Sequence, residues 1–247
     1  RGEMLSVTYA PFRVSALDAL DKATAITGVE LVNIDGGPFA DATLEKLTKI
    51  ERLTAAVVES RRFTSEGVQK LAALKRLRHL KTWTGKGAFD LSPFADCTEL
   101  RHVAIVAPSI DVRTPAAIEQ LPHLEYLELN PLDPAAKEAE YDFANVKGLA
   151  ELRGVRLTGL KLKPGSTRAI AELPALNDLW LIACGIDGAE LAPLAKKKLW
   201  TLDVSSDFGP IAGKYPSNRV TDEHLKALEG LEVETLRLGG ATLTKAG

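Results

Sequence analysis

The feature that most constrains this chain is a comb of leucines that recurs every 23 or 24 residues through most of its length. The clearest teeth are Leu124-Glu125-Tyr126-Leu127-Glu128-Leu129, Leu152-Arg153-Gly154-Val155-Arg156-Leu157 and Leu176-Asn177-Asp178-Leu179-Trp180-Leu181, each an LxxLxL core. Anchoring each tooth on its middle apolar residue gives Val7, Val32, Ala56, Leu80, Val103, Leu127, Val155, Leu179, Leu202 and Leu236. Successive anchors differ by 25, 24, 24, 23, 24, 28, 24, 23 and 34 residues. A unit this short cannot bury its apolar side alone, so a period of about 20 to 29 residues implies coils that stack on one another as a solenoid. The comb therefore predicts a single array of about ten units over residues 1–247.

Within each tooth the apolar residues of LxL alternate with polar ones, which turns the leucines inward and the residue between them outward on a strand. Two more inward positions follow each strand: Phe12 and Val14, Phe39, Phe63, Ile110, Leu160 and Leu162, Cys184 and Ile186, then Leu243. Helical stretches with apolar residues three and four apart are expected at 41–50, 64–74, 114–121, 167–173 and 221–228. Thr64 and Thr221 stand in front of acidic residues as N-caps. Residues 90–96 are short and proline-broken, so a 3₁₀ turn is expected there.

These residues resemble the bacterial leucine-rich repeat family over nearly the whole chain. The Phe63–Leu71 and Val220–Leu228 units are similar to the helix-bearing repeats related to the ribonuclease-inhibitor type, and the Phe89–Leu100 unit is similar to internalin repeats. The resemblance implies an α/β leucine-rich repeat solenoid, a right-handed superhelix with parallel strands on the concave face and helices or 3₁₀ turns on the convex face. It also implies a body used mostly to hold another macromolecule. The position that often carries an asparagine or cysteine ladder holds Gly37, Arg61, Gly85, Pro108, Leu132 and Leu160, and only Cys184 conforms, so irregular loops are expected.

The two long steps locate insertions, near 131–142 and 205–219. Loops that lengthen a solenoid unit fall on one rim, often the binding side, and lengthening them costs little. The second carries Phe208 and Tyr215. At the ends, Val7-Thr8-Tyr9 already reads as a strand and residues 243–247 read as the opening of another unit, so the expectation is either that flanking sequence is missing and the array is a fragment of a longer array or protein, or that the ends pair with something.

Written as columns, the outward strand positions collect the chemistry, because equivalent residues on adjacent parallel strands lie about 4.8 Å apart. One column is His79, His102, Tyr126, Gly154, Asp178 and Thr201; the next is Lys81, Ala104, Glu128, Arg156, Trp180 and Asp203. Trp83 lies two residues further along its strand, and Trp200 flanks the first column with Arg78, Arg101, Glu125, Arg153 and Asn177. All three tryptophans thus fall on the outward face, where large aromatics act as binding anchors. Arg101 with Glu125, Glu125 with Arg153, and Glu128 with Arg156 are expected cross-strand charge neighbours.

Other functions find little support. A formal net charge of -2 gives no basic face for nucleic acid. No apolar run is long enough to span a membrane, and two cysteines cannot form a disulfide framework, which favours a reducing compartment such as the cytoplasm. There is no GxSxG, P-loop, HExxH or CxxC motif. His79 and His102 lack a third metal ligand at a fixed spacing, while His123 and His224 look incidental. Cofactors and metals are therefore not expected. The expected function is non-enzymatic binding of a protein through Trp83, His79, His102, Tyr126, Glu128, Arg156, Asp178, Trp180, Trp200 and Asp203, with help from the 205–219 loop. The alternatives are a sensor or targeting arm of a larger protein and, ranked last, a carbohydrate-binding or enzymatic solenoid.

Overall fold

The computed structural model describes residues 3–8, 22, 24–32, 39–133, 139–206 and 214–244. The chain divides into two compact units, Arg1–Leu124 and Glu125–Gly247. Both are built by the same rule: one strand per coil, paired in parallel with the strand of the next coil.

In the first unit the sheet runs β1 (Glu3–Thr8), β2 (Ile26–Val32), β3 (Ala55–Thr64), β4 (His79–Lys86) and β6 (His102–Ala107). The two-residue strands β5 (Ala88–Phe89) and β7 (Ser109–Ile110) pair separately. Helices α1 (Asp41–Leu47), α2 (Ser65–Gln69) and α3 (Thr114–Ile118) return the chain between coils, and the proline-broken segment forms a 3₁₀ turn at Ser92–Phe94. Each helix is shorter than its periodicity suggests. The last turn of the second tightens to 3₁₀ over Lys70–Ala73 because the next strand must begin within a few residues.

The second unit repeats the pattern with β8 (Tyr126–Pro131), β10 (Gly154–Thr158), β12 (Asp178–Ile182), β13 (Lys198–Asp203) and β14 (Glu232–Arg237). The short strands β9 (Glu140–Tyr141) and β11 (Lys161–Leu162) pair beside it, and the returns are helices α4 (Ser166–Ala171) and α5 (Asp222–Lys226) and 3₁₀ turns. Parallel strands, one per coil, with helices or 3₁₀ turns in the returns define a leucine-rich repeat solenoid. No described helix is long and apolar enough to cross a membrane.

The comb sets the register. Leu127 pairs with Val155, Val155 with Leu179, Leu179 with Leu202 and Leu202 with Leu236, as the anchors require. Leu80 likewise pairs with Val103 and Ala56 with Leu80. At the start of the chain the anchors are different. Leu5 pairs with Val29 and Val29 with Ala56, so Leu5 and Val29 replace Val7 and Val32 as teeth. Val29, Leu31 and Val32 are all buried, which hides the alternation, and the coil from Val29 to Ala56 carries extra residues that spacing alone misplaces.

Burial follows the teeth up to Leu202, whereas the last tooth, Leu236, is 46 % exposed. Phe39, Phe63, Ile110, Leu160, Leu162, Cys184 and Ile186 are buried as expected, whereas Leu243 is exposed; Phe12, Val14 and Gly37 lie outside the described residues. Two carboxylates tie successive coils in the same way. Asp41, the first residue of α1, accepts from the amide and hydroxyl of Thr64 at 2.9 and 2.6 Å, and Asp222, the first of α5, accepts from those of Thr244. Thr64 caps α2 by accepting from the Gly67 amide at 2.9 Å. At α5 the third residue of the helix reaches back to its N-cap. The Thr221 amide donates to Nδ1 of His224 at 3.2 Å, so His224 has a structural task and is not incidental.

The ladder task expected of a cysteine or asparagine is performed by Asn218, from within the second insertion. Asn218 is 6 % exposed, and its Oδ1 accepts from the amides of Cys184 and Ile186 at 3.0 and 3.2 Å. Its Nδ2 donates to the carbonyls of Leu181 and Val204 at 2.6 and 2.9 Å. Tyr215, 7 % exposed, reaches across to the first insertion, where its hydroxyl lies 3.3 and 3.2 Å from the carbonyls of Pro131 and Leu132 and donates to one of them. The two insertions therefore meet.

Candidate interaction face

In the second unit the outward columns fall as the sequence places them. Tyr126, Gly154, Asp178 and Thr201 share one row, and Glu128, Arg156, Trp180 and Asp203 share the next. Arg237 of β14 extends the second row, because it pairs with Asp203. This row is a charge and aromatic relay. The Arg156 guanidinium lies 3.9 Å from the Trp180 ring centroid, and that of Arg237 lies 4.8 Å from it. Arg156 comes from the strand on one side of Trp180; Arg237 comes from two strands away on the other. Two cations thus lie against the indole, each contact contributing about 0.5 to 2 kcal/mol depending on desolvation.

Carboxylates hold this stack in place. The Trp180 indole N–H donates to Asp178 Oδ1 at 2.8 Å, Glu128 lies 4.0 Å from Arg156, and the Tyr126 hydroxyl donates to Glu128 at 3.3 Å. To reach Trp180, Arg237 must pass over Asp203, which explains why an outward aspartate is only 3 % exposed. Asp203 there accepts from the Ser205 amide at 3.0 Å and sits 3.7 Å from Arg237. Burial, with the Glu128 carboxylate beside it, pushes the Tyr126 hydroxyl up to about 12. Tyr126 lies flat over its neighbour in the row, since a Cβ at Gly154 would stand 2.5 Å from its ring.

Trp200 is different. It is 60 % exposed, and a hollow of about 330 Å3 opens beside it, lined also by Lys198, Leu199, Glu232, Val233 and Glu234. The expected loop contribution changes as well. Tyr215 is packed inside, so it does not present an aromatic to a partner, and Phe208 lies outside the described residues.

In the first unit His79 and His102 are in register and stack with ring centroids 5.0 Å apart. Trp83 is half-buried four residues along the strand from His79, with the Arg61 guanidinium 5.9 Å from its ring, and Lys81 is 2.9 Å from Glu59. Among the described residues no group of three or more metal-ligating side chains gathers.

Burial, followed by the His102 and Lys81 charges, holds His79 below the usual histidine value. An unfolded histidine titrates near about 6.5, so just below that pH the unfolded chain binds more protons than the folded one. Stability conferred by neutral His79 is therefore complete above about pH 6.5 and is lost as pH falls toward the lowered native value. Replacing His79 with asparagine should flatten this part of the stability–pH curve, read by urea unfolding at stepped pH; an unchanged slope would remove His79 as its source.

Both cysteines are buried thiols. Burial raises Cys97 and pushes Cys184 up to about 12, so neither carries thiolate chemistry near neutral pH.

No protein-family model and no curated protein matches the chain. Solved structures with the same fold do match. An internalin from Listeria monocytogenes superposes with a TM-score of 0.62 at 17% identity over 92% of this chain and 58% of its own. A leucine-rich repeat protein from Leptospira interrogans gives 0.54 at 15% identity, covering 98% and 67%. A plant peptide hormone receptor in complex with RGF2 gives 0.53 at 14% identity, covering 92% and 42%. The chain thus spans a little over half of the internalin's length. Its fold belongs to the leucine-rich repeat class.

The sequence columns missed three contributors. Arg237 was legible as the next member of its row. Arg61 stands just past the strand core, where the outward pattern gives no guidance. Asn218 was hidden because it enters from an insertion, at no fixed distance from the comb.

Proposed function

We propose that this chain is a non-enzymatic recognition module that takes a protein partner on the outward face of its sheet, with Trp200 of the second unit as the principal anchor. The observation that carries this reading is an indole 60 % exposed on a sheet strand, with an open hollow next to it. Interface energy concentrates on tryptophan, tyrosine and arginine held on ordered elements. The alternating charges along the Glu128 row suit a protein surface better than a polyanion.

Trp180 has a different role. Two guanidinium groups lie against its half-buried ring, so it is less open to a partner than Trp200, and its loss would loosen the face itself. The solved plant receptor with a bound partner supports a protein ligand for this fold class without identifying one here.

The protein immobilised and exposed to a lysate of its source cells should retain a partner identifiable by mass spectrometry. With that partner purified, Trp200→Ala should weaken binding at least about 30-fold, the equivalent of about 2 kcal/mol for one anchor. Arg168→Glu, an exposed position on α4, should leave it unchanged. Binding that survives Trp200→Ala intact would refute this assignment.

A further inference from the structure

Building on the reading that the second unit's outward face receives a protein, we propose that the hollow beside Trp200 is a socket for a cationic side chain, a lysine or arginine of that protein. The register places Trp200 of β13 directly beside Glu234 of β14, since Leu199 pairs with Val233 and Thr201 with Thr235. The half-buried Val233 supplies the apolar strip of the hollow between the two strands, with Leu199 buried beneath it.

The charges in the lining are not all compensated. Lys198 is 2.8 Å from Glu232, so those two cancel each other, and this pairing raises Lys198 above the usual lysine value. Glu234 is exposed and makes no ion pair among the described residues. What remains is a bare indole, an apolar strip and one unmatched carboxylate about one strand spacing away.

Each other class of occupant fails on one of these parts. An anionic side chain would meet Glu234 and Glu232. An aliphatic one would fill the strip but cover Glu234 without giving its carboxylate a partner, which is costly. A lysine or arginine satisfies all three, laying its methylene stem on Val233, its charge on the indole and its donors on the carboxylate. The chain uses this chemistry on itself in the same sheet, where Arg156 and Arg237 flank Trp180 among Asp178, Glu128 and Asp203. Trp200 has the aromatic and the carboxylate, and among the described residues it lacks the cation.

The test uses the full chain labelled with nitrogen-15 and follows the three indole N–H signals, with Trp200 assigned by Trp200→Phe. The probes are acetyl-Gly-Arg-Gly-Arg-Gly-amide and the same peptide with glutamate or leucine in place of arginine. The arginine peptide should move the Trp200 signal, and the glutamate and leucine peptides should leave it in place. Glu234→Gln should weaken the arginine peptide roughly tenfold, the size of one charge-assisted contact, with the Trp180 signal unmoved as the report of an intact face. An equal response to the glutamate or leucine peptide, no response to arginine, or no effect of Glu234→Gln would overturn the socket. Partner binding lost in Trp200→Ala alongside a failed arginine titration would leave the recognition face standing and remove only the socket. Arginine binding with partner capture indifferent to Trp200→Ala would retain the socket and remove the face reading.

Discussion

Asn218→Ala should destabilise the second unit by about 3 to 4 kcal/mol, the largest loss expected of any single polar substitution in this chain. Truncation leaves the amides of Cys184 and Ile186 and the carbonyls of Leu181 and Val204 without the partner they have now, in a region closed to water. A buried donor or acceptor left unmade costs about 1 to 3 kcal/mol, and partial relaxation keeps the total below the simple sum. The Ser205 carbonyl, 3.2 Å from Nδ2, keeps the Ala183 amide as a donor at 2.8 Å and contributes little to the loss. Asn218 also closes the base of the insertion, since its amide donates to the Ser206 hydroxyl at 2.9 Å and its carbonyl accepts from that hydroxyl at 3.1 Å. Those contacts are backbone ones and survive truncation, so the loop should stay closed while the coil beneath it weakens. Asn218→Asp should be at least as harmful, because it keeps the acceptor but sets a charge against two carbonyls. Urea unfolding followed by circular dichroism, with an unchanged dependence on denaturant, measures the difference. A loss below about 1 kcal/mol would show that water replaces the side chain, and that the ladder is not what holds this coil.

Asn218 also shows which parts of the molecule were legible in the sequence. In the middle of the array a residue's role follows from its distance along the comb, whereas Leu236 and Leu243, inward by the same spacing, are exposed. Leu127, Val155, Leu179 and Leu202 pair as spaced, and the outward rows through Tyr126 and Glu128 follow because strand alternation ties one face to the other. Reading fails where the coil length changes. At the start of the chain an extra-long coil shifts the teeth from Val7 and Val32 to Leu5 and Val29, since three buried aliphatics in β2 satisfy either phase. In the second insertion the length change releases Asn218 from any fixed offset, and an asparagine in a proline- and glycine-containing loop carries no sign of burial. Side-chain reach is the other hidden quantity. Periodicity puts Trp180 and Asp203 outward, but only geometry shows Arg237 bridging the second to reach the first. That bridging turns one outward residue into a clamped pillar and the other into a buried acceptor. Trp200 stands two residues before the inward Leu202, where strict alternation would turn it in, and it is exposed because no such neighbour covers it.

The closing contact between the insertions and the coil yields the second large effect. Gly159→Ala should cost about 3 kcal/mol, made of two separable parts. Gly159 has a φ of +68°, the left-handed region in which a Cβ costs about 1 kcal/mol or somewhat more. The same Cβ would stand 2.6 Å from Cδ1 and 2.7 Å from Cε1 of the Tyr215 ring, so the ring or the turn must move, at about 1 to 3 kcal/mol for an overpacked contact. The turn has little freedom to yield, because the Gly159 amide donates to the Ile182 carbonyl at 2.8 Å. The ring is held from its far end by the hydroxyl on the Pro131 and Leu132 carbonyls. A double-mutant cycle separates the parts. Tyr215→Ala removes the steric component, so Gly159→Ala introduced into that background should cost only the backbone share, about 1 kcal/mol. The difference of about 2 kcal/mol between the two backgrounds is then the coupling between ring and turn. Equal costs in both backgrounds would mean the ring swings clear without loss, in which case Tyr215 does not fix the insertion against the end of β10 and its burial would need another cause.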